Sequence, residues 1–406
     1  MPPPSAPNAD PVFAQSIFAC RILIIDDDPT SQFLLEEILQ AQGFTQLYFA
    51  DDGLQGLEML PQIKPDLVLL DLVMPHLDGH EFCRRVRQMP EYKALPVLVQ
   101  TGQGDTQSRI DAFAAGASDF VTKPLLGEEI IARISMHLDK QILISQLSAY
   151  QRRVSVELES ARRMQLELLP RDNELSALET RYGVDIAHCY RASSELGGDY
   201  YGFIPLDKQR FAFYLGDFAG HGVGAAVNTF RTQILIQQVQ RSASEPTQFL
   251  QALNAKLYNY LTQGQFSTML YAVCDVANWT LRYATAAAPK PLLIEQGAPQ
   301  VLPSSGTPLG INPNLFEVDE FEMELPLEGA LLFHSDALIE EKGQDGSFYG
   351  RQRLVDQLAQ MPTTMAADAR LAQIVAGLDQ HLGSRPLSDD LTAICLQLKR
   401  VSCAAG

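Results

Sequence analysis

The chain has 406 residues, too many for one ordinary hydrophobic core, so two domains or two domains with a connector are expected. Its 31 Lys+Arg against 49 Asp+Glu give a formal net charge of −18, which repels nucleic-acid phosphates and anionic membrane surfaces and argues against direct DNA binding. No run reaches the roughly 18 apolar residues that span a bilayer, and the opening MPPPSAPNADP lacks the basic and apolar segments of a signal peptide, so a cytoplasmic location without membrane attachment is expected.

Residues 1–18, rich in Pro, Ala and Asn, read as a disordered lead-in. From Arg21 short apolar runs (RILII, LYFA, DLVLL, PVLVQ, DFV) alternate with helix-period stretches. Five strands interleaved with five helices predict a doubly wound α/β domain over 19–138, with a five-stranded parallel sheet whose ligands lie beyond the carboxyl ends of the strands. Residues 128–169 contain neither Pro nor Gly, so they predict one long helix ended by Pro170. Leu143, Leu147, Tyr150, Val154, Leu158, Ala161, Met164 and Leu168 follow one another at steps of three or four and draw a single apolar stripe along it. The preferred partner for that stripe is the same helix of a second subunit, a parallel coiled coil over 139–169; the alternative is packing back on the chain's own domains. From Pro170 to about 401 strand-like runs outnumber helical ones (near 225–241, 246–260 and 351–382), which predicts an α+β domain of two antiparallel sheets flanked by helices. The six cysteines (Cys20, Cys83, Cys189, Cys274, Cys395, Cys403) show no paired spacing and read as reduced core thiols.

In the first domain polar residues stand at the ends of apolar strands: Asp26-Asp27-Asp28, Asp71, Thr101 and Thr122-Lys123-Pro124. All converge on one edge of a parallel sheet, and carboxylates crowded there demand a cation; an all-oxygen set from Asp26, Asp27 and Asp71 suits Mg²⁺, leaving Lys123 and Thr101 for phosphoryl oxygens. With ILIIDDDP, LVLLDLVMPHLDG, VLVQTG and DFVTKP in this order, the segment from about 20 to 138 resembles the CheY-like receiver domains of two-component systems. The resemblance implies that Asp71 accepts a phosphoryl group from a histidine kinase or phosphotransfer protein, that Asp26 and Asp27 hold Mg²⁺, and that Thr101 with Phe120 switches the opposite face.

Beyond Pro170, Asp199, Asp217, Asp336 and the pair Asp389-Asp390 each sit beside small residues at a strand end. One such Asp usually marks a turn. Four that meet in space would need cations, and oxygen ligands alone select Mg²⁺ or Mn²⁺ over zinc. The segments ELGGDYYG, GDFAGHGVGAA, FSTMLYAV, GTPLGI, LLFHSDALIE and SDDLTAICLQL, preceded by ARRMQLELLP, resemble the SpoIIE/RsbU-type branch of the PPM phosphatases. That family implies that Asp217 bridges two metal ions, that the Phe218 carbonyl and Asp199 serve the first, and that Asp336 and Asp389 complete the second, with Asp390 orienting a neighbouring loop. His221 is assigned a structural hydrogen bond in preference to proton donation.

Gly202, Ala219, Ala337 and Ala286-Ala287-Ala288-Pro289 depart from the usual family pattern without removing a carboxylate; Ala337 for Gly is expected to restrict the backbone at a metal loop. The helix stripe leads to the expectation of a homodimer whose receivers control the second domains; the resemblance implies a response regulator whose phosphorylation at Asp71 controls dephosphorylation of a phosphoserine or phosphothreonine protein, with a STAS-domain anti-sigma factor antagonist as substrate. The rival reading is a phosphatase-fold adaptor that binds a regulatory partner without turnover.

Overall fold

A computed structural model describes residues 16–102, 106–220, 222–295, 299–326 and 328–398. The chain divides into two compact units, Met1–Val154 and Ser155–Gly406. Most of the expected lead-in, residues 1–15, lies outside the described residues; Ile17–Ala19 form a 3-10 turn whose Phe18 ring stands edge-on to Phe44 with centroids 5.2 Å apart.

The first unit alternates β1 (Arg21–Ile25), α1 (Pro29–Ala41), β2 (Gln46–Ala50), α2 (Gly53–Ile63), β3 (Leu67–Asp71), α3 (Gly79–Gln88), β4 (Val97–Thr101), α4 (Thr106–Ala115) and β5 (Asp119–Thr122) before entering α5 (Gly127–Leu166). Its strands form one parallel sheet in the order β2-β1-β3-β4-β5. The central strands read as unbroken apolar runs because helices cover both faces. Leu23, Ile25, Val68, Leu70, Val97 and Val99 pack towards Phe82 and Val86 of α3, while Ile22, Ile24, Leu67, Leu69 and Leu98 meet Leu35 and Leu39 of α1 and Ile130, Ile134 and Leu138 of α5. The chain order reverses at β1 and β3, which sets the ends of these two strands side by side, the position where open α/β sheets bind ligands.

The regular part of α5 ends at Leu166, three residues before the expected stop, because Leu168 N and Leu169 N bond to carbonyls three residues back and tighten the chain before Pro170. Along its length Leu143 (64% exposed), Leu147 (58%), Tyr150 (51%) and Met164 (58%) face solvent, whereas Val154, Leu158 and Ala161 of the same stripe are half-buried.

The second unit opens with α6 (Asp172–Tyr182) and continues through β6 (Val184–Arg191), β7 (Tyr200–Pro205), β8 (Arg210–Phe218), α7 (Val223–Gln238), α8 (Pro246–Leu257), β9 (Ser267–Asp275), β10 (Thr280–Ala286), β11 (Leu292–Ile294), β12 (Gln300–Val301), β13 (Glu320–Glu324), β14 (Ala330–His334), α9 (Ala337–Glu340), α10 (Arg351–Ala359), α11 (Ala367–Leu382) and β15 (Leu391–Leu398). Two five-stranded antiparallel sheets result, β13-β10-β9-β8-β7 and β12-β11-β14-β15-β6. Alternate residues of each strand turn inwards, so Phe213, Leu215, Leu270 and Tyr283 of one sheet face Leu331, Phe333, Ile394 and Leu396 of the other. The rings of Phe213 and Phe333 stand edge to face, 4.8 Å apart. Outside the sandwich, α8 stacks Phe249 on Tyr271 of the first sheet at 3.8 Å, and α10 and α11 cover the second.

Sequence periodicity leaves α6, β7 and the two-residue β12 unread, and the helical stretch expected over 351–382 is two helices, interrupted at a segment containing Pro362. Cys20, Cys83, Cys189, Cys274 and Cys395 are free thiols, Cys403 lies outside the described residues, and no helix among those described is long and apolar enough to cross a membrane.

Candidate phosphorylation site and active site

Where β1 and β3 end side by side, three aspartates meet. Asp26 is fully buried and Asp71 is 9% exposed, and Asp26, Asp27 and Asp71 each offer an oxygen within 4.8 Å of the others, the one such trio among the described residues. Lys123, just past β5, holds its Nζ 3.0 Å from Asp71 Oδ2 and 3.6 Å from Asp26 Oδ2. Burial raises the Asp26 carboxyl despite that ammonium, and its Oδ2 has no hydrogen-bond partner, so a hard cation fits the remaining acceptor positions. Asp28, by contrast, is spent on the fold: it caps α1 by accepting from Thr30 N at 3.0 Å.

Thr101 closes β4 with a buried hydroxyl that has no partner, beside the same sheet edge. Phe120 on β5 lies half-buried between two guanidinium groups, Arg109 of α4 at 4.7 Å and Arg133 of α5 at 5.1 Å from the ring centroid, with Phe113 edge-on at 6.0 Å. Arg133 is anchored in turn by Asp119 at 2.7 Å and Glu129 at 3.0 Å. The aromatic residue named from sequence thus touches the first turns of the long helix.

In the second unit each sheet supplies two carboxylates. Asp199 precedes β7 and Asp217 lies in β8; Asp336 follows β14 and Asp389 precedes β15. The ends of the two sheets are tied directly: Asp390 Oδ1 accepts from Ser193 N (2.7 Å) and Ser193 Oγ (3.0 Å), and its Oδ2 from Gly198 N (2.5 Å). Ser335 Oγ bonds Asp390 O and receives Thr392 N, which fixes Asp336 against the start of β15. Asp199 is 1% exposed, and neither of its oxygens nor Asp217 Oδ1 has a hydrogen-bond partner. Burial, then the charges of Asp336, Asp389 and Asp390, push the Asp217 carboxyl from 3.8 up to about 8; burial and Asp217 raise Asp199, and burial and Glu340 raise Asp336. Among the described residues these acids do not close into a trio as tight as that of the first unit, but the buried, unpartnered oxygens of Asp199 and Asp217 are acceptors of the kind a divalent cation satisfies. A Cβ on Gly198 would come within 2.9 Å of the Phe218 carbonyl and 3.2 Å of Asp217 Oδ1, so only glycine leaves that oxygen open beside the carboxylates.

These raised carboxyls carry a pH signature. Their contribution to the metal-free fold is complete only below about pH 4 and is lost as pH rises through about 8. In EDTA the melting temperature should therefore fall across that window, and Mn²⁺ should restore it most at the alkaline end. A melting temperature that is flat from about pH 5 to 8 in EDTA contradicts the cluster.

Two of the departures from the family pattern, Gly202 and Ala337, have local reasons. Gly202 pairs with Tyr214 across β7 and β8, and any side chain there would strike the Tyr214 ring. Ala337 opens α9 with its preceding Asp336 already helical (φ −64°, ψ −30°), so the expected backbone restriction costs nothing, Ala being the better helix former. Ala287 does carry strain, at φ 54°. His221 lies outside the described residues.

Sequence reading missed Gln165. On the last turn of α5 it is 4% exposed and grips the loop before Asp199: its Nε2 donates to Gly197 O (2.7 Å) and Thr229 Oγ1 (3.1 Å), and its Oε1 accepts from Gly197 N (3.1 Å). The available signal was a Gln beside the apolar stripe in RRMQLELL, where neighbouring Met164 instead faces solvent.

A parallel sheet with an acidic pocket, followed by a two-sheet sandwich with carboxylates at one end, joins a receiver fold to a phosphatase fold. Comparison bears on each half. Residues 22–135 match the family model described as Response regulator receiver domain, and residues 207–399 the one described as Stage II sporulation protein E (SpoIIE). Curated relatives include the DNA-binding dual master transcriptional regulator RpaA of Synechocystis (38% identical over 130 residues, 32% of this chain and 54% of that protein) and Response regulator MprA of Mycobacterium ulcerans (40% over 114 residues, 28% and 48%). The chain thus spans about half the length of these relatives. The SiaA-PP2C domain of Pseudomonas aeruginosa shares the fold at 20% identity, with a TM-score of 0.55, over 62% of this chain and 99% of that domain. The chain thus joins a stretch that matches the response-regulator receiver family to one that matches the SpoIIE family, and the second unit shares the fold of the SiaA PP2C domain.

Proposed function

We propose that the protein is a two-component response regulator in which phosphorylation of Asp71 controls a divalent-metal-dependent protein serine/threonine phosphatase. The observation that carries this reading is the group of buried, unpartnered oxygens of Asp199 and Asp217 from one sheet, coupled by charge to Asp336 and Asp389 from the other. Asp199, Asp217, the Phe218 carbonyl, Asp336 and Asp389 would hold two Mn²⁺ or Mg²⁺ ions, which when bound supply charge neutralisation and a more acidic water for attack on phosphorus. In the receiver Asp26, Asp27 and Asp71 would hold Mg²⁺. There the Asp71 carboxylate takes the phosphoryl group from a histidine kinase or phosphotransfer protein, Lys123 neutralises it, and the unpartnered Thr101 hydroxyl is free to bond one of its oxygens. The net charge of −18 argues against DNA as the target, and the SpoIIE match supports a phosphorylated STAS-domain anti-sigma factor antagonist in the cytosol as the substrate.

The exposed Leu143, Leu147 and Tyr150 of the α5 stripe support a homodimer through that helix. Gln165 supports the helix as the element that relays the signal, since a turn or shift at this end would release both backbone groups of Gly197, two residues from Asp199. Replacing Gln165 by Ala leaves those buried groups unpaired, at a cost of about 1–3 kcal/mol. The expected outcome is at least about tenfold slower phosphate release, with uptake of phosphoryl groups from acetyl phosphate at Asp71 unchanged. A Gln165→Ala protein that works at the wild-type rate removes the relay. The reading as a whole is tested by Mn²⁺- and Mg²⁺-dependent release of phosphate from a phosphoserine STAS protein, with and without beryllofluoride. No release under any of these conditions ends it.

A further inference from the structure

We infer that Glu341 is a positioning residue for Asp389, bracing the two arms of the second sheet that carry Asp336 and Asp389; the inference rests on the phosphatase reading above. Glu341 follows α9, five residues beyond Asp336, and is 2% exposed. A carboxylate buried near Asp336, Glu340, Asp389 and Asp390 raises the local repulsion, so its retention calls for compensating donors. They come from one place: Glu341 Oε1 accepts from Ser388 N (2.6 Å), Ser388 Oγ (3.1 Å) and Asp389 N (3.0 Å). In the segment so gripped Arg385, Pro386 and Ser388 are exposed while Leu387 packs on the core beneath, and the segment lines a cleft of about 390 Å³ together with Asp336, Glu341 and Asp389.

The brace itself is rigid. Glu341 N bonds Ala337 O at 3.3 Å, and Glu341 O receives Tyr349 N at 2.8 Å, with Tyr349 buried. Both arms are therefore fixed to one residue, the Asp336 arm through the backbone of α9 and the Asp389 arm through the carboxylate. The opposite flank of the site repeats the device, Asp390 accepting the backbone N and the hydroxyl of Ser193 and then Gly198 N beside Asp199. Two carboxylates outside the proposed ligand set thus each hold a ligand-bearing loop by a serine and a following amide. Such support holds ligands near binding geometry before the ion arrives, and its removal costs roughly 10–100-fold in metal affinity.

The test uses the full chain and Mn²⁺, read by calorimetric titration and by the electron paramagnetic resonance signal of a coupled Mn²⁺ pair. Wild type should bind two ions in the second unit, counted against an Asp71→Asn background to remove the receiver site. Glu341→Ala should keep one ion at near wild-type affinity, weaken the other roughly 10–100-fold and lose the pair signal. Glu341→Gln, which retains an acceptor oxygen, should stay within a few-fold of wild type, and Ser388→Ala, which loses one hydroxyl, should weaken the same ion by a smaller factor. Excess Mn²⁺ should return the Glu341→Ala phosphatase rate towards wild type. Two ions bound by Glu341→Ala as in wild type overturns the inference while leaving the phosphatase reading intact. So does equal loss of both ions with a collapsed thermal transition, which assigns Glu341 to the fold alone, provided Ser388→Ala also binds both ions normally. A wild-type second unit that binds fewer than two ions removes the phosphatase reading and this inference with it.

Discussion

Asp217→Ala should abolish Mn²⁺-stimulated phosphate release, by about 10³-fold or more, which corresponds to about 4 kcal/mol of lost transition-state stabilisation. The size follows from its location. Asp217 lies in β8 within reach of charge from Asp336, Asp389 and Asp390, it dominates the shift at Asp199 after burial, and its Oδ1 is buried without a partner. Removing it deprives both halves of the site at once, whereas Asp336→Ala should spare whatever Asp199 and Asp217 hold together. The fold should survive, because the variant relieves repulsion in the metal-free protein; the melting temperature in EDTA at neutral pH should rise. An adaptor without turnover behaves differently: it retains its partner complex in Asp217→Ala and has no metal-stimulated rate to lose. A measured rate within threefold of wild type in Asp217→Ala would remove the catalytic assignment.

Asp71→Asn should uncouple the phosphatase from its signal. In wild type, beryllofluoride or acetyl phosphate should change the phosphatase rate by roughly 5–150-fold, the span of coupling free energies of 1–3 kcal/mol, and the variant should not respond. At the pocket stand Lys123 and the unpartnered Thr101 hydroxyl. Phe120, beside Arg109 and Arg133, touches the first turns of α5, the helix proposed above as the relay. Phosphorylation adds a dianion at the pocket, and a Thr101 hydroxyl drawn to it vacates space for the Phe120 ring. Equal responses in wild type and Asp71→Asn, or no response in either, would break this link even if the phosphatase itself is active.

Much of the first unit was legible because its physics is local. Strands buried on both faces must be apolar from end to end, so RILII, LVLL and VLVQ announce themselves, and an Asp or Thr closing such a run stands out. The second unit was legible in its strands and in the small residues around each acidic position, but less so elsewhere. Tyr200–Pro205 carries a Gly at 202 and ends in a Pro, which hides β7 from any alternation rule. Ala337 looked like a liability until α9 gave it helical backbone. Gln165 was hidden by its own neighbourhood: the helical period assigns Met164 and Leu168 to the buried stripe, whereas they are exposed and Gln165 is inside.

The residues alone determined the doubly wound sheet, the long helix, the strand-rich second half and the acidic positions at the strand ends, since each depends on patterns of a few neighbouring side chains. Only the tertiary structure decided what those acids do to one another: that Asp217 feels the charges of Asp336 and Asp389 from the other sheet while Asp199 feels Asp217 and Asp390, which loops Asp390 grips, and that Glu341 and Gln165 hold others. The reason is distance along the chain. Gly198 and Asp390 are 192 residues apart, and a hydrogen bond between such partners follows from how two sheets stack, which no local run of residues encodes.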